Sequence, residues 1–185
     1  MGYLVTPGAA GTHALAAVAC LALKNGDASF NPHNRNPSAL PHDARVAYVY
    51  SNAFDTVLSF WRRGFMFKPD HAKHLGLDEF VGCTEDMKLA TWLHNVKFDP
   101  FKLKSHMAAW AERPGTMMVK YECLKDPGVV ANLGDWIGAD LSGFKFRRRS
   151  SCWFVEPHSV IGRLCRLYSH LFSIQYELPD WFVTE

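Results

Sequence analysis

Four groups of residues in this chain have types and spacings suited to an anionic ligand. The run Thr6-Pro7-Gly8-Ala9-Ala10-Gly11-Thr12-His13 is built almost wholly from small side chains. Such a loop lets backbone N–H groups approach an anion closely. Arg147-Arg148-Arg149, followed by Ser150-Ser151, is the densest positive charge in the sequence, and guanidinium forks pair bidentately with phosphate oxygens. Ser51 and Ser59 add two hydroxyls. His33, in Asn31-Pro32-His33-Asn34, and His42, in Leu40-Pro41-His42, are imidazoles able to take a proton near neutral pH. Read singly, each group also has an ordinary explanation: a turn that caps a helix, a solvated basic turn, a helix-surface hydroxyl, a loop histidine.

The elements that must position these groups are legible around them. Tyr3-Leu4-Val5 is a brief apolar strand, and Ala14 to Leu23 is an apolar helix. Strand, small-residue loop and helix in that order point N–H groups and a positive dipole end at a bound phosphate. The loop is not a Walker A sequence, since Gly-Lys-Ser/Thr is absent. Ala28-Ser29-Phe30 could form a very short strand. Val46-Ala47-Tyr48-Val49-Tyr50 has no polar interruption, the pattern of a strand covered on both faces in a parallel sheet. Ser51-Asn52 breaks it, and from Asp55 a helix follows with Val57, Leu58, Trp61 and Phe65 inward and Arg62-Arg63 wet. Asp86 to Glu112 is helical, interrupted at Asp99-Pro100, with Leu103, Met107 and Trp110 on one face of its second part. Pro114-Gly115 turns the chain into a strand at Met117 to Tyr121, and another helix ends at Trp136-Ile137-Gly138. Ser159 to Leu171 is an amphipathic helix, and Tyr176 to Phe182 is an aromatic end docked on the body.

Composition sets outer bounds. A chain of 185 residues, 48% hydrophobic and 14% aromatic, is expected to fold as one domain over 1–185. A net charge of +2 is too small to bind nucleic acid or a membrane surface by bulk electrostatics. The five cysteines are odd in number, scattered and without a C-x-x-C pair, which reads as reduced thiols in a cytoplasmic protein. Ala14 to Leu23 is shorter than the ~20 residues that span a bilayer and lacks a basic segment before it. His71 and His74 sit three apart, but no Cys or carboxylate completes a metal site at familiar spacing.

Several segments, in order, resemble the sulfotransferases that use 3′-phosphoadenosine-5′-phosphosulfate (PAPS). Gly11-Thr12 matches the end of the family's phosphosulfate loop, although Gly8, Ala9 and Ala10 stand where a basic residue is usual and His13 is the one ionisable side chain nearby. Tyr48-Val49-Tyr50-Ser51-Asn52-Ala53-Phe54-Asp55 and Ser59 match the strand, Arg-Asn-Pro-x-Asp turn and helical Ser that hold the 3′-phosphate, with Ser51 in place of the Arg and Ala53 in place of the Pro. Gly64 to Gly82, which includes Leu77-Asp78-Glu79-Phe80, resembles the substrate-covering region. The fullest match runs from Trp110 through Arg113-Pro114-Gly115 and the strand to Tyr121-Glu122-Cys123-Leu124-Lys125-Asp126-Pro127, where Cys123 replaces the usual Asp. Phe146-Arg147-Arg148 resembles the late segment that grips the 3′-phosphate. The likeness covers the chain from Tyr3 to about Trp153.

The resemblance implies an α/β, P-loop-like three-layer fold, reduced in size, with a central parallel sheet near residues 3–5, 28–30, 46–50 and 117–121 flanked by helices. It implies sulfuryl transfer from PAPS, leaving the product PAP, to a hydroxyl or amine of a small-molecule or glycan acceptor. His33 is then the catalytic base, with His42 its rival. Ala10, Gly11, Thr12, His13, Ser51, Ser59, Tyr121, Arg147 and Arg148 would bind the nucleotide. The missing loop base and missing Arg leave two other readings open: a PAP- or PAPS-binding module without catalysis, and a non-enzymatic scaffold.

Overall fold

The computed structural model describes residues 2–8, 15, 18, 33–75, 77, 82–147 and 152–185. Its centre is a four-stranded sheet in the order β1 (Gly2–Val5), β2 (Arg45–Tyr50), β3 (Thr116–Lys120), β4 (Trp181–Val183). The first three strands are parallel, with Val5 opposite Tyr48 and Tyr50 opposite Lys120. β4 adds antiparallel to β3, with Phe182 opposite Met118. The fold is thus mixed α/β with a mostly parallel sheet. The apolar runs at residues 3–5, 46–50 and 117–121 mark its parallel strands, the third of which is Thr116–Lys120 with Tyr121 just beyond its end, while the strand expected at 28–30 lies outside the described residues.

From Val46 to Tyr50 β2 is apolar and buried, because both of its faces are covered. Ala47 and Val49 join Met117 and Val119 in one core, packed against Val129, Val130, Leu133 and Ile137 of the helix Pro127–Ile137. Leu15, helical and buried, belongs to the same core, where the helix Ala14 to Leu23 was expected. Tyr48 alternates to the other face and meets His106 edge-on at 5.4 Å between ring centroids. The helix Pro127–Ile137 is capped by Asp126, whose carboxylate accepts from Gly128 N, and stopped by Gly138 at φ 70°, a left-handed position that suits glycine. Its end lies so close to β1 that a Cβ on Gly2 would sit 2.0 Å from the Ile137 carbonyl oxygen, so only glycine fits there.

The chain forms two compact units, which it enters alternately. The first holds 2–51, 106–148 and 179–185, and hence the sheet. The second, 52–105 with 149–178, is helical. Taking the helices of the described residues in chain order, they are α1 (Ala53–Arg62), α2 (Pro69–His74), α3 (Leu89–Asn95), α4 (Leu103–Ala111), α5 (Pro127–Ile137) and α6 (His158–Glu177). α4 begins in the second unit and ends in the first.

Within the second unit polar side chains close the helix ends. Asn52 accepts from Asp55 N at 2.8 Å, and Gln175 of α6 accepts from Ala53 N at 2.8 Å, so α1's first orphan N–H groups are satisfied. Arg166 donates to the Leu93 and Val96 carbonyls at the end of α3. Asp99 accepts from the Leu103 and Lys104 N–H groups at the start of α4 and from the Tyr168 hydroxyl at 2.8 Å. Phe54 stacks on Phe172 at 4.6 Å and meets Trp153 edge-on. Among the described residues no helix is long and apolar enough to cross a membrane.

Candidate functional site

In the first unit the candidate residues gather where β1, β2 and β3 end. Thr6 directly follows β1, Ser51 follows β2, and Tyr121 follows β3. Adjacent strands lie about 4.8 Å apart, so these three ends span roughly 10 Å. The carboxyl ends of parallel strands are where open α/β sheets bind ligands.

His33 is anchored at the first of these ends. It is buried, and its Nδ1 lies 3.1 Å from the Thr6 carbonyl oxygen. A carbonyl can only accept, so Nδ1 carries a proton, and in the neutral ring the lone pair is then on Nε2. That is the tautomer a base with a fixed second nitrogen requires. Thr6 also accepts from Gly8 N through its hydroxyl at 3.0 Å, which curls the chain back on itself at the start of the small-residue loop. Gly8 takes φ 98°. Of the loop's predicted contacts, Ala10, Gly11, Thr12 and His13 lie outside the described residues, as does Arg148.

His42 is placed elsewhere. It is exposed and precedes β2, so it stands at the amino-terminal edge of the parallel strands, opposite the end where His33 sits. It lines a shallow cavity of about 530 Å³ with Pro37, Glu112 and Arg113. Arg113 secures this corner by donating to the Pro41, Ala44 and Pro114 carbonyls.

The second strand end carries a feature that the resemblance did not suggest. Ser51 is buried, and its hydroxyl donates to the carboxylate of Glu122 in the turn after β3. The hydroxyl proton is therefore committed to a neighbouring strand end. Tyr50, just before it, has a buried hydroxyl with no hydrogen-bond partner among the described residues. Burial, followed by the charges of Cys123, Glu122 and Asp180, pushes that phenol well above its ordinary range.

Tyr121 and Arg147 are brought together at the third end. The Tyr121 hydroxyl donates to the Arg147 carbonyl at 2.8 Å, and its ring lies 5.3 Å from Phe146. With the ring packed there and 4% exposed, Tyr121 is a strand-end core aromatic that anchors the basic segment, and it offers no open face for stacking on a base. The Arg147 side chain is exposed. Ser59 is buried on α1 and belongs to the second unit. His71, also there, packs edge-on against Phe65 at 4.6 Å, and among the described residues no group of three His, Cys, Asp or Glu side chains could hold a metal. Of the stretch resembling the substrate cover, 64–82, residues 76 and 78–81 are outside the described residues.

Sequence reasoning missed His106. It sits on α4 four residues before Trp110, on the apolar face marked by Leu103 and Met107, and is buried. Its Nε2–H donates to the Asn34 carbonyl at 2.9 Å, Trp110 Nε1–H donates to the same oxygen at 3.0 Å, and Nδ1 accepts from the Tyr48 hydroxyl. The available signal was a histidine interrupting a helix's apolar face. In comparison with known proteins, no family model, no curated protein and no solved structure matches this chain significantly.

Proposed function

We propose that the chain transfers a sulfuryl group from PAPS to a hydroxyl or amine of a small-molecule or glycan acceptor. The observation that carries this reading is that a histidine is tied to the carboxyl end of β1, with Nδ1 as the donor, while the main chain of an exposed arginine is anchored by the tyrosine that follows β3. In the proposed step the acceptor oxygen or nitrogen attacks sulfur, the bond between sulfur and the 5′-phosphate oxygen breaks, and PAP leaves with the electron pair. His33 Nε2 receives the acceptor proton. Arg147 pairs with the 3′-phosphate. The small-residue loop is assigned the leaving oxygen on its composition, since fixed N–H donors at that atom lower the barrier most.

The Ser51–Glu122 pair favours a second reading, a module that binds PAP without transfer. A carboxylate beside the position of the family's arginine weakens the hold on a 3′-phosphate. Two measurements separate the readings: calorimetric binding of PAP, and transfer of radiolabelled sulfate to a panel of hydroxyl and amine acceptors by wild type and His33→Ala. Transfer that falls about 10²–10⁴-fold in His33→Ala supports the enzyme. PAP binding with no transfer supports the module, and no PAP binding sinks both.

A further inference from the structure

The main chain beside His33 is held as firmly as its ring. His106 and Trp110, one turn apart on α4, both aim N–H donors at the Asn34 carbonyl, at 2.9 and 3.0 Å. Residues four apart share a helix face, so a single face converges on one oxygen next to His33. On the other side, the His33 ring is tied to the Thr6 carbonyl just after β1. Supplying one loop carbonyl with two donors requires a histidine to be buried at 2% exposure within an otherwise apolar face. Water could satisfy a loop carbonyl without that cost, so closing the loop does not by itself require the arrangement.

The donors are also fixed in kind. His106 Nε2 faces a carbonyl and must carry the proton, which leaves Nδ1 to accept from Tyr48 at 3.3 Å. Burial above all, then the charges of Arg35 and His33, pushes the His106 pKa down to about 3, with the bond to Asn34 acting the other way. His106 is therefore neutral at physiological pH, one donor and one acceptor. Burial raises the Tyr48 phenol far beyond its ordinary range, so it stays a donor.

We infer that His106, assisted by Trp110, is a positioning residue for His33: by holding the Asn34 carbonyl it keeps the His33 ring on Thr6, with the lone pair on Nε2. This rests on the reading of His33 as the base, so the test needs a readout that does not depend on sulfate transfer. The readout is the ¹⁵N chemical shifts of the His33 ring nitrogens at neutral pH, which distinguish the two tautomers and are assigned by loss of the signals in His33→Gln. His106→Phe keeps a ring of similar volume and removes both hydrogen bonds. His106→Gln retains an N–H for Asn34 and an oxygen for Tyr48. Trp110→Phe removes one donor with little loss of volume and serves if His106→Phe does not fold.

In wild type His33 is expected as the Nδ1–H tautomer. In His106→Phe or Trp110→Phe it should become a mixture of tautomers, with kcat down about tenfold or more and PAP affinity within about twofold. His106→Gln should restore both. A folded His106→Phe or Trp110→Phe that keeps wild-type ¹⁵N shifts at His33 overturns the inference, whatever the activity. If wild type sulfates no acceptor, the transferase reading fails, while the tautomer change still decides the positioning role.

Discussion

Arg147→Ala is the sharpest probe of the proposed nucleotide site, because the residue's side chain and main chain have different surroundings. Its side chain is exposed, whereas its carbonyl is the acceptor for Tyr121 at 2.8 Å. Truncation therefore leaves the main-chain anchor in place, and stability should change by no more than about 0.5 kcal/mol. A charge-assisted contact to phosphate is worth about 1.5–3 kcal/mol, which at 1.4 kcal/mol per tenfold corresponds to PAP binding about 10–100-fold weaker. Adenosine 5′-phosphate, which lacks the 3′-phosphate, should lose no more than about twofold. Tyr121→Phe is the companion change: the ring stays against Phe146, but the Arg147 carbonyl loses its donor, worth about 1 kcal/mol. If Tyr121 acts by presenting Arg147, the double variant loses less PAP affinity than the two single losses summed. Calorimetry with both nucleotides at one fixed low ionic strength makes the comparison, since salt screens an exposed cation. Equal losses for the two nucleotides, or none for PAP, refute the assignment of Arg147 to the 3′-phosphate.

Two further outcomes concern the sheet's surroundings. With a folded pKa pushed from 6.5 to about 3 by burial, His106 binds its proton less readily in the folded state than in the unfolded state; stability is retained above about pH 6.5 and lost as pH falls toward 3, by up to about 1.4 kcal/mol per pH unit. Urea midpoints of wild type and His106→Gln at pH 7, 5 and 4 check this, and identical pH slopes in the two proteins would refute it. Burial, then the hydrogen bond to Asp180 and its charge, push the Cys123 thiol from 9.0 up to about 11, about a hundredfold less thiolate at pH 8. Iodoacetamide should therefore label Cys123 slowly and several-fold faster in Asp180→Asn; an unchanged rate removes the carboxylate from the account.

Much of the framework was legible because local pattern and burial coincide. The unbroken apolar run from Val46 to Tyr50 had to be a strand with two covered faces, and β2 has them. Asn52 followed by Asp55 announced the start of α1, and Asn52 caps it. β4 was not legible as a strand. Trp181-Phe182-Val183 is too short to show alternation, and its extended state comes from pairing with Met117 to Val119, more than sixty residues away in the chain. The division into two units was equally hidden, since it depends on which distant segments touch.

For the candidate site, the sequence by itself determined which residues could do chemistry: imidazoles at 33 and 42, a basic cluster at 147–149, and hydroxyls after a buried strand. Residue type and local spacing suffice for that, because donors, acceptors and charges are properties of side chains. The tertiary structure alone decided how they are used. It sent His33 to the carboxyl end of β1 and His42 to the opposite edge. It paired Ser51 with Glu122, 71 residues on, and drew the Arg147 carbonyl onto Tyr121. Parallel strands joined by long crossovers bring remote segments to one edge, and a histidine's tautomer follows from which carbonyl happens to face it. No window of sequence around His33 contains Thr6, and none contains His106.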